Sequence, residues 1–399
     1  MEEVKVLELF GGIGAIRKAF EKCKIPYKVI DYVEIDKYAV KSYNAIFNES
    51  FEPQDITTYD KDINVDFIMH GSPCQDFSVA GKQAGGDLDS GTRSSLMYET
   101  IRIVGKIRPK YVLWENVKNL LSKKHKHNFD AYIETMNVLG YNSYYKVLDA
   151  KDYGIPQHRE RVYTVSIRKD IDTGYRFPEP MELKLRLKDM LEDEVDENYY
   201  LDDEKVKKIL SSSFMQERKR VQEKDVCDTL LARDWKDPKC VRIGGIFDTE
   251  KSKHQAGSIY DKEGLAPTLD VAQGGWRQPS IIEDGYVEKK YNNFIKEKGY
   301  VPEMFNPYNE SEIKDIAPTQ STQCGSITSS ATVLKNEGTR IRKLTPLECW
   351  RLMGFSDDDF YKAQAVPTSN TQLYKQAGNS IVVNVLEKIL QNLFIGEKL

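Results

Sequence analysis

Short apolar runs alternate with amphipathic segments over the first 168 residues of the chain. Residues 4–10 and 27–33 are apolar runs, and each is followed by a segment with helical spacing, at 15–22 and 36–48. A continuous apolar run is typical of a strand that is buried on both faces, as in a parallel sheet. The pattern therefore predicts two consecutive strand–helix units.

The same rhythm continues further along the chain. It predicts strands at 65–70, 111–114, 144–148 and 162–167, and helices at 96–107 and 127–139. Alternating strands and helices favour an α/β fold, in which a mostly parallel sheet is doubly wound in the Rossmann manner.

The rhythm stops after residue 171. Residues 172–340 are rich in Asp, Lys, Ser, Thr and Gln and carry only short apolar patches, which predicts a smaller, loop-rich, β-containing domain. Residues 342–355 then read as a helix that Thr345 caps. A last helix at 381–394 has one apolar face, which we expect to pack on the first domain. The predicted domains are 1–171 and 172–340, with 341–399 returning to the first.

Composition adds limits to this picture. The chain has 399 residues, of which 40% are hydrophobic and 30% charged, and a formal net charge of −4. These values are typical of a folded globular protein, and a nucleic-acid partner would need a local basic cleft. The six cysteines include no CxxC pair, which argues against a zinc site, and we expect no bound metal. Without a long apolar run or a signal-like N-terminus, we expect a cytoplasmic protein.

A glycine-rich turn follows the first predicted strand. Gly11-Gly12-Ile13-Gly14 leads directly into a helix, whose free N–H groups could face a ligand. Glu34 ends the second strand 20 residues after Gly14, the spacing at which an acid reaches the ribose of a nucleoside. The alternative is a tight turn and a solvent-facing glutamate.

Cys74 lies just after the predicted strand 65–70, in the sequence Gly71-Ser72-Pro73-Cys74. Proline cannot continue the strand, so the cysteine falls at the carboxyl end of the sheet, where open α/β folds bind ligands. It is a candidate nucleophile, although free cysteines more often act as small buried hydrophobes. Residues 81–95 are glycine-rich and longer than a simple connector.

Charged side chains also stand at the ends of two other predicted strands. Glu115 follows the strand 111–114, and Arg159 and Arg161 alternate at the entry of the strand 162–167. Alternate residues of a strand point to one face, so the two arginines are expected to act together. The alternatives are a solvated carboxylate and a salt-bridged sheet edge.

In this order the motifs resemble those of the cytosine-5 DNA methyltransferase family of bacteria and phages. The resemblance covers residues 4–168 and 340–394, and rests on Leu9 to Gly14, Pro73-Cys74-Gln75, Glu115-Asn116-Val117, Gln157 to Arg161, Arg342 to Phe355, and Gly378-Asn379-Ser380. Two departures are small. Ser72 stands where phenylalanine is common, and Ala15 where a further glycine is frequent.

The resemblance implies S-adenosylmethionine-dependent methylation of cytosine C5 in double-stranded DNA, with the target base flipped out of the helix. It implies that Cys74 attacks C6, Glu115 meets N3, and Arg161 contacts O2 with support from Arg159. The cofactor residues it implies are Phe10, Gly12, Ile13, Gly14, Glu34, Ile35, Asp55, Ile56, Pro73, Leu96, Asn379 and Ser380.

The resemblance also implies that residues 172–340 recognise the DNA target and that 81–95 close over it. The DNA-binding residues we predict are Ser78, Lys82, Arg93, Gln273, Trp276, Arg277 and Gln323. We expect a monomer that does not bind membranes. A restriction endonuclease of the same restriction-modification system would be a functional counterpart and not a physical partner.

Three other functions remain to be weighed. A tRNA cytosine-5 methyltransferase would share the fold, but the long segment 172–340 argues for a reader of duplex DNA. A DNA-binding protein without activity would not need Cys74, Glu115 and Arg161 together. A nicotinamide-dependent oxidoreductase would share the glycine turn and leave the other motifs unexplained.

Overall fold

The structure is a computed structural model. It describes residues 2–73, 93–200, 242–245, 258–260, 280–284, 293–294, 296–298, 305–306, 311–312 and 339–396, with the backbone alone at 93–94, 339–341 and 343 and in the strands between 242 and 312. The chain divides into two compact units. The first holds the described residues up to Glu192 and from Thr345 onward, and the second holds those from Asp193 to Leu344.

The described part of the first unit is built on a six-stranded sheet with the order β2-β1-β3-β4-β6-β5. Its strands are β1 (Val4–Leu9), β2 (Tyr27–Val33), β3 (Phe67–His70), β4 (Tyr111–Val117), β5 (Tyr141–Asp149) and β6 (Glu160–Arg168). Neighbours from β2 to β4 run parallel, whereas β6 is antiparallel to both β4 and β5. The predicted α/β fold with a mostly parallel sheet is confirmed.

Most helices of the first unit lie where the sequence predicts them. They are α1 (Ala15–Cys23), α2 (Lys37–Phe47), α3 (Met97–Ile107), α4 (Lys126–Val138), α5 (Pro346–Arg351), α6 (Asp357–Ala365), α7 (Asn370–Asn379) and α8 (Val383–Leu390), which continues as a π-helical turn at Gln391–Ile395. The predicted cap of α5 is present, because Thr345 and Glu348 form a reciprocal capping box. Within the described residues, every helix is too short or too polar to cross a membrane.

The core of the first unit lies between the sheet and its helices. Buried side chains of β1, β3 and β4 pack with those of α3 and α4, and Trp114 and Tyr132 lie at the centre of this cluster. On the other side of the sheet, the C-terminal helix α8 packs on α1, and the Phe394 ring lies 5.9 Å from that of Phe20. The apolar stripe of the C-terminal helix is therefore buried as predicted.

The second unit contains a four-stranded sheet in its described residues, with the order β12-β9-β8-β7. The strands are β7 (Arg242–Gly245), β8 (Ser258–Tyr260), β9 (Ser280–Asp284) and β12 (Thr339–Lys343), and a separate pair is formed by β10 (Phe305–Asn306) and β11 (Ser311–Glu312). This agrees with the predicted β-containing character of the middle segment. Its role in target recognition stays a prediction.

Two predicted boundaries near the functional motifs were wrong. β4 does not stop at Trp114, because its antiparallel pairing with β6 extends to Val117. Arg342 belongs to strand β12 and not to the helix that follows it. The motif at Gln376–Ser380 precedes helix α8 as expected, and it also contains the end of a helix that was not predicted, α7, which Ser369 caps.

Candidate functional site

The glycine turn after β1 has a left-handed backbone. Phe10, Gly12 and Gly14 have φ angles of 53°, 54° and 82°. A Cβ atom on Gly14 would lie 2.3 Å from the Phe47 ring, so glycine is required there by both conformation and space. A Cβ on Gly12 would have no neighbour within 4 Å, so the backbone of Gly12 faces open space where a ligand could approach closely.

Glu34 reaches back from the end of β2 to this turn. Its Oε2 accepts a hydrogen bond from Gly12 N at 3.1 Å, and its Oε1 accepts one from Asp36 N at 2.9 Å. Burial raises the pKa of Glu34, and these hydrogen bonds oppose the shift. The next residue, Ile35, is a large apolar side chain that is 67% exposed. The Glu34 carboxylate can accept hydrogen bonds from a sugar, and the exposed Ile35 side chain can pack against a base. Together they suit a nucleoside.

The loop that carries Asp55 is attached to the same edge of the sheet. Gln54 N donates to the Glu34 carbonyl at 2.8 Å, which places the loop beside the end of β2. Asp55 is exposed, and its Oδ1 caps the 3₁₀ turn Ile56–Thr58 by accepting from Thr57 N at 2.9 Å. Ile56 itself is only 4% exposed and belongs to the core.

Glu115 and Arg161 form an ion pair across β4 and β6. Arg161 Nε lies 3.1 Å from Glu115 Oε1, and both side chains are mostly buried. Burial raises the pKa of Glu115, whereas the charges of Arg161 and Arg159 lower it. A Cβ placed on Gly71 would lie 3.8 Å from Glu115 Oε2, so this carboxyl lies beside the chain three residues before Cys74. Burial thus favours the protonated form of this carboxyl, and the two arginines oppose it.

Arg159 points to a different part of the chain. It is 4% exposed, and its Nη2 donates to the carbonyls of Gly378 at 3.1 Å and Ser380 at 2.8 Å. The Gly378-Asn379-Ser380 motif is therefore held against the arginine motif. Asn379 is exposed at the end of α7, and Ser380 is 7% exposed.

Two residues that were not predicted as part of the site tie α7 to the start of α2. Lys375 Nζ lies 2.5 Å from Asp36 Oδ2, and Gln376 Nε2 donates to the Tyr38 carbonyl at 3.0 Å. Asp36 follows Glu34 and Ile35 directly, so the C-terminal segment braces the loop that carries them. The one available signal was the position of Gln376 beside the Gly378 motif.

Several predicted site residues lie outside the described residues. They are Cys74, Ser78, Lys82, Gln273, Trp276, Arg277 and Gln323. Arg93 begins the 3₁₀ turn Arg93–Leu96 with only its backbone described, and Leu96 packs against the core. Pro73 is half-buried and Ile13 is 2% exposed.

Comparisons with known proteins agree on one family. A family model described as "C-5 cytosine-specific DNA methylase" matches residues 4–394. The chain is 33% identical to the orphan methyltransferase M.SPBetaI of Bacillus phage SPbeta, with 98% of each chain covered. It is also 33% identical to the type II methyltransferase M.HhaI of Haemophilus parahaemolyticus, over 98% of this chain and 94% of that protein.

Solved structures show the same fold at lower sequence identity. The Dnmt2 methyltransferase of S. pombe superposes with a TM-score of 0.60 at 17% identity, with both chains covered completely. A putative DNA modification methyltransferase encoded within an E. coli prophage superposes with a TM-score of 0.57 at 20% identity, covering 98% of this chain and 99% of that chain.

Proposed function

The chain belongs to the C-5 cytosine-specific DNA methylase family, and from that premise we propose that it transfers a methyl group from S-adenosylmethionine to C5 of cytosine in double-stranded DNA. The observation that carries the proposal is the buried pair of Glu115 and Arg161 beside Gly71. The names of the phage and type II relatives support DNA as the substrate.

The residues of the glycine turn fit the proposed cofactor. The open space at Gly12 admits a ligand against the backbone, and Glu34 offers a carboxylate at the same point. In this proposal Glu34 binds the ribose hydroxyls, and the exposed side chain of Ile35 contacts the adenine. When bound, S-adenosylmethionine supplies an electrophilic methyl group.

In this proposal, side chains of this protein carry out the chemistry on the cytosine base. Cytosine C5 is a weak nucleophile, and thiolate addition at C6 converts it into an enamine carbon. We assign this attack to Cys74. After C5 is methylated, the C5 proton leaves to a base and the Cys74 thiolate is eliminated from C6, which restores the aromatic ring. Glu115 holds a proton at N3, where electron density accumulates, since its burial favours the protonated carboxyl. We assign the contact with O2 of the base to Arg161, which is paired with Glu115.

A substrate comparison tests this function. Purified protein is incubated with tritiated S-adenosylmethionine and either plasmid DNA or tRNA. We expect incorporation into plasmid DNA, none into tRNA, and loss of the signal in Cys74→Ser. Cys23→Ser is the matched control, because Cys23 lies in α1 and its Sγ contacts the Glu387 carbonyl. Incorporation into tRNA alone would favour the RNA alternative, and incorporation that persists in Cys74→Ser would refute the mechanism.

A further inference from the structure

Ser72 lies in the three-residue connection between the end of β3 and Cys74, and both of its oxygen atoms are anchored on β4. It is 3% exposed. Its Oγ accepts a hydrogen bond from Trp114 Nε1 at 3.1 Å, and its carbonyl accepts one from Asn116 Nδ2 at 3.2 Å.

These two anchors flank Glu115 in the sequence. Since successive residues of a strand point to opposite faces, Trp114 and Asn116 share one face of β4 and Glu115 points to the other. Gly71 lies next to the Glu115 carboxyl, and Ser72 is bonded to the residues on either side of it. The connection from β3 to Cys74 therefore contacts both faces of β4 at Glu115, the residue proposed to hold the proton.

Trp114 is itself held firmly. It is 1% exposed, its ring lies 6° from the plane of the His70 ring at a centroid distance of 5.6 Å, and the Tyr132 ring centroid is 4.1 Å away. An indole has a single N–H donor, and that of Trp114 is directed at Ser72. An apolar side chain at position 72 would offer this N–H no acceptor. Ser72 and Trp114 are thus a matched pair.

We propose that Ser72 is a positioning residue, which sets the direction in which the chain leaves β3 toward Cys74 relative to Glu115. The inference rests on the proposed function. Covalent attack depends steeply on the alignment of the reacting groups. Loss of the Ser72 hydroxyl should therefore slow the chemical step. It should affect cofactor binding less than the rate, because Pro73 is the one implied cofactor residue that adjoins Ser72 in the sequence, whereas Gly12 and Glu34 lie at the ends of β1 and β2.

The test compares Ser72→Ala with Ser166→Ala. Ser166 is a fully buried serine of β6 whose Oγ lies 2.7 Å from Ser143 Oγ, away from the site. Single-turnover methylation of plasmid DNA gives the rate, and calorimetry gives the Kd for S-adenosylmethionine. We expect Ser72→Ala to lower the rate on the order of tenfold, about 1.4 kcal/mol, with Kd within about twofold. Ser166→Ala should keep both near wild-type values.

Two further variants separate positioning from general stability. Trp114→Phe removes the same hydrogen bond, so the double variant with Ser72→Ala should be no slower than the slower single variant. Ser72→Thr keeps the acceptor and should recover most of the rate. If Ser72→Ala does not fold, Trp114→Phe is compared with Ser166→Ala instead.

Equal rates in Ser72→Ala and Ser166→Ala, or effects of Ser72→Ala and Trp114→Phe that simply add, would overturn the inference. Wild-type protein that methylates no DNA would instead overturn the proposed function. The two failures are therefore distinguishable.

Discussion

Replacing Arg161 with methionine should destabilise the protein in a way that depends on pH. The substitution removes the charge that lies 3.1 Å from Glu115 Oε1 and leaves a carboxyl that is 8% exposed. Burial already raises the pKa of Glu115, and loss of Arg161 should raise it further. At neutral pH the folded protein must then hold this group protonated, or keep an unpaired buried charge.

The magnitude follows from the cost of protonation. An unfolded glutamate has a pKa of about 4.3, so keeping it protonated costs at most about 3.7 kcal/mol at pH 7 and about 1.6 kcal/mol at pH 5.5. An acid whose pKa is raised on folding destabilises the native state above its unfolded pKa, and this penalty vanishes at lower pH. The destabilisation by Arg161→Met should therefore shrink by up to about 2 kcal/mol between pH 7 and pH 5.5.

Urea unfolding at the two pH values, followed by circular dichroism, measures this difference. Arg168→Met is the control on the same strand, since Arg168 pairs with the exposed Asp170 and its loss should cost less than about 1 kcal/mol. When Glu115→Gln is also present, the destabilisation caused by Arg161→Met should no longer depend on pH. A destabilisation by Arg161→Met that is the same at both pH values would refute the view that this pair controls the ionisation of Glu115.

Two further substitutions test the cofactor side of the site. Lys375→Met breaks the partly exposed pair with Asp36, worth up to about 1 kcal/mol, so the Kd for S-adenosylmethionine should rise up to about fivefold by calorimetry. Lys362→Met, which breaks an exposed pair on α6, should leave that Kd unchanged, and equal effects would contradict the bracing role of α7. Gly14→Ala adds a clash to a left-handed backbone and should lower the free energy of unfolding by about 3 kcal/mol. Gly174→Ala, at φ 92° in open space, should cost only about 1 kcal/mol, and equal losses in thermal melts would show that the clash is absent.

Local sequence patterns were sufficient to predict the first three strands of the sheet in the first unit and the start of β4. The apolar run of β2 and the glycine turn after β1 are local features, and the structure has both at the expected places. The extension of β4 was not predictable in this way. It depends on pairing with β6, whose residues lie more than 40 positions further along the chain.

The site likewise contains contacts that local patterns predict and contacts between distant segments that they do not. The contact between Gly12 and Glu34 follows from the turn and from adjacent parallel strands, so spacing could predict it. The bonds from Arg159 to Gly378 and Ser380 join segments more than 200 residues apart, and no local pattern encodes them. The middle segment has no clear periodicity, and its described elements are short strands, short 3₁₀ turns and a few helical residues.

The proposed mechanism requires a covalent bond between Cys74 and C6 of a cytosine in duplex DNA. Incubating the protein with S-adenosylmethionine and DNA in which cytosine is replaced by 5-fluorocytosine blocks release of the enzyme, because fluorine cannot leave as the C5 proton does. Mass spectrometry of the digested complex then identifies the modified peptide. We expect one adduct, on Cys74, that is absent from Cys74→Ser. An adduct on another residue, or active protein that forms no adduct, would refute the role of Cys74 as the nucleophile.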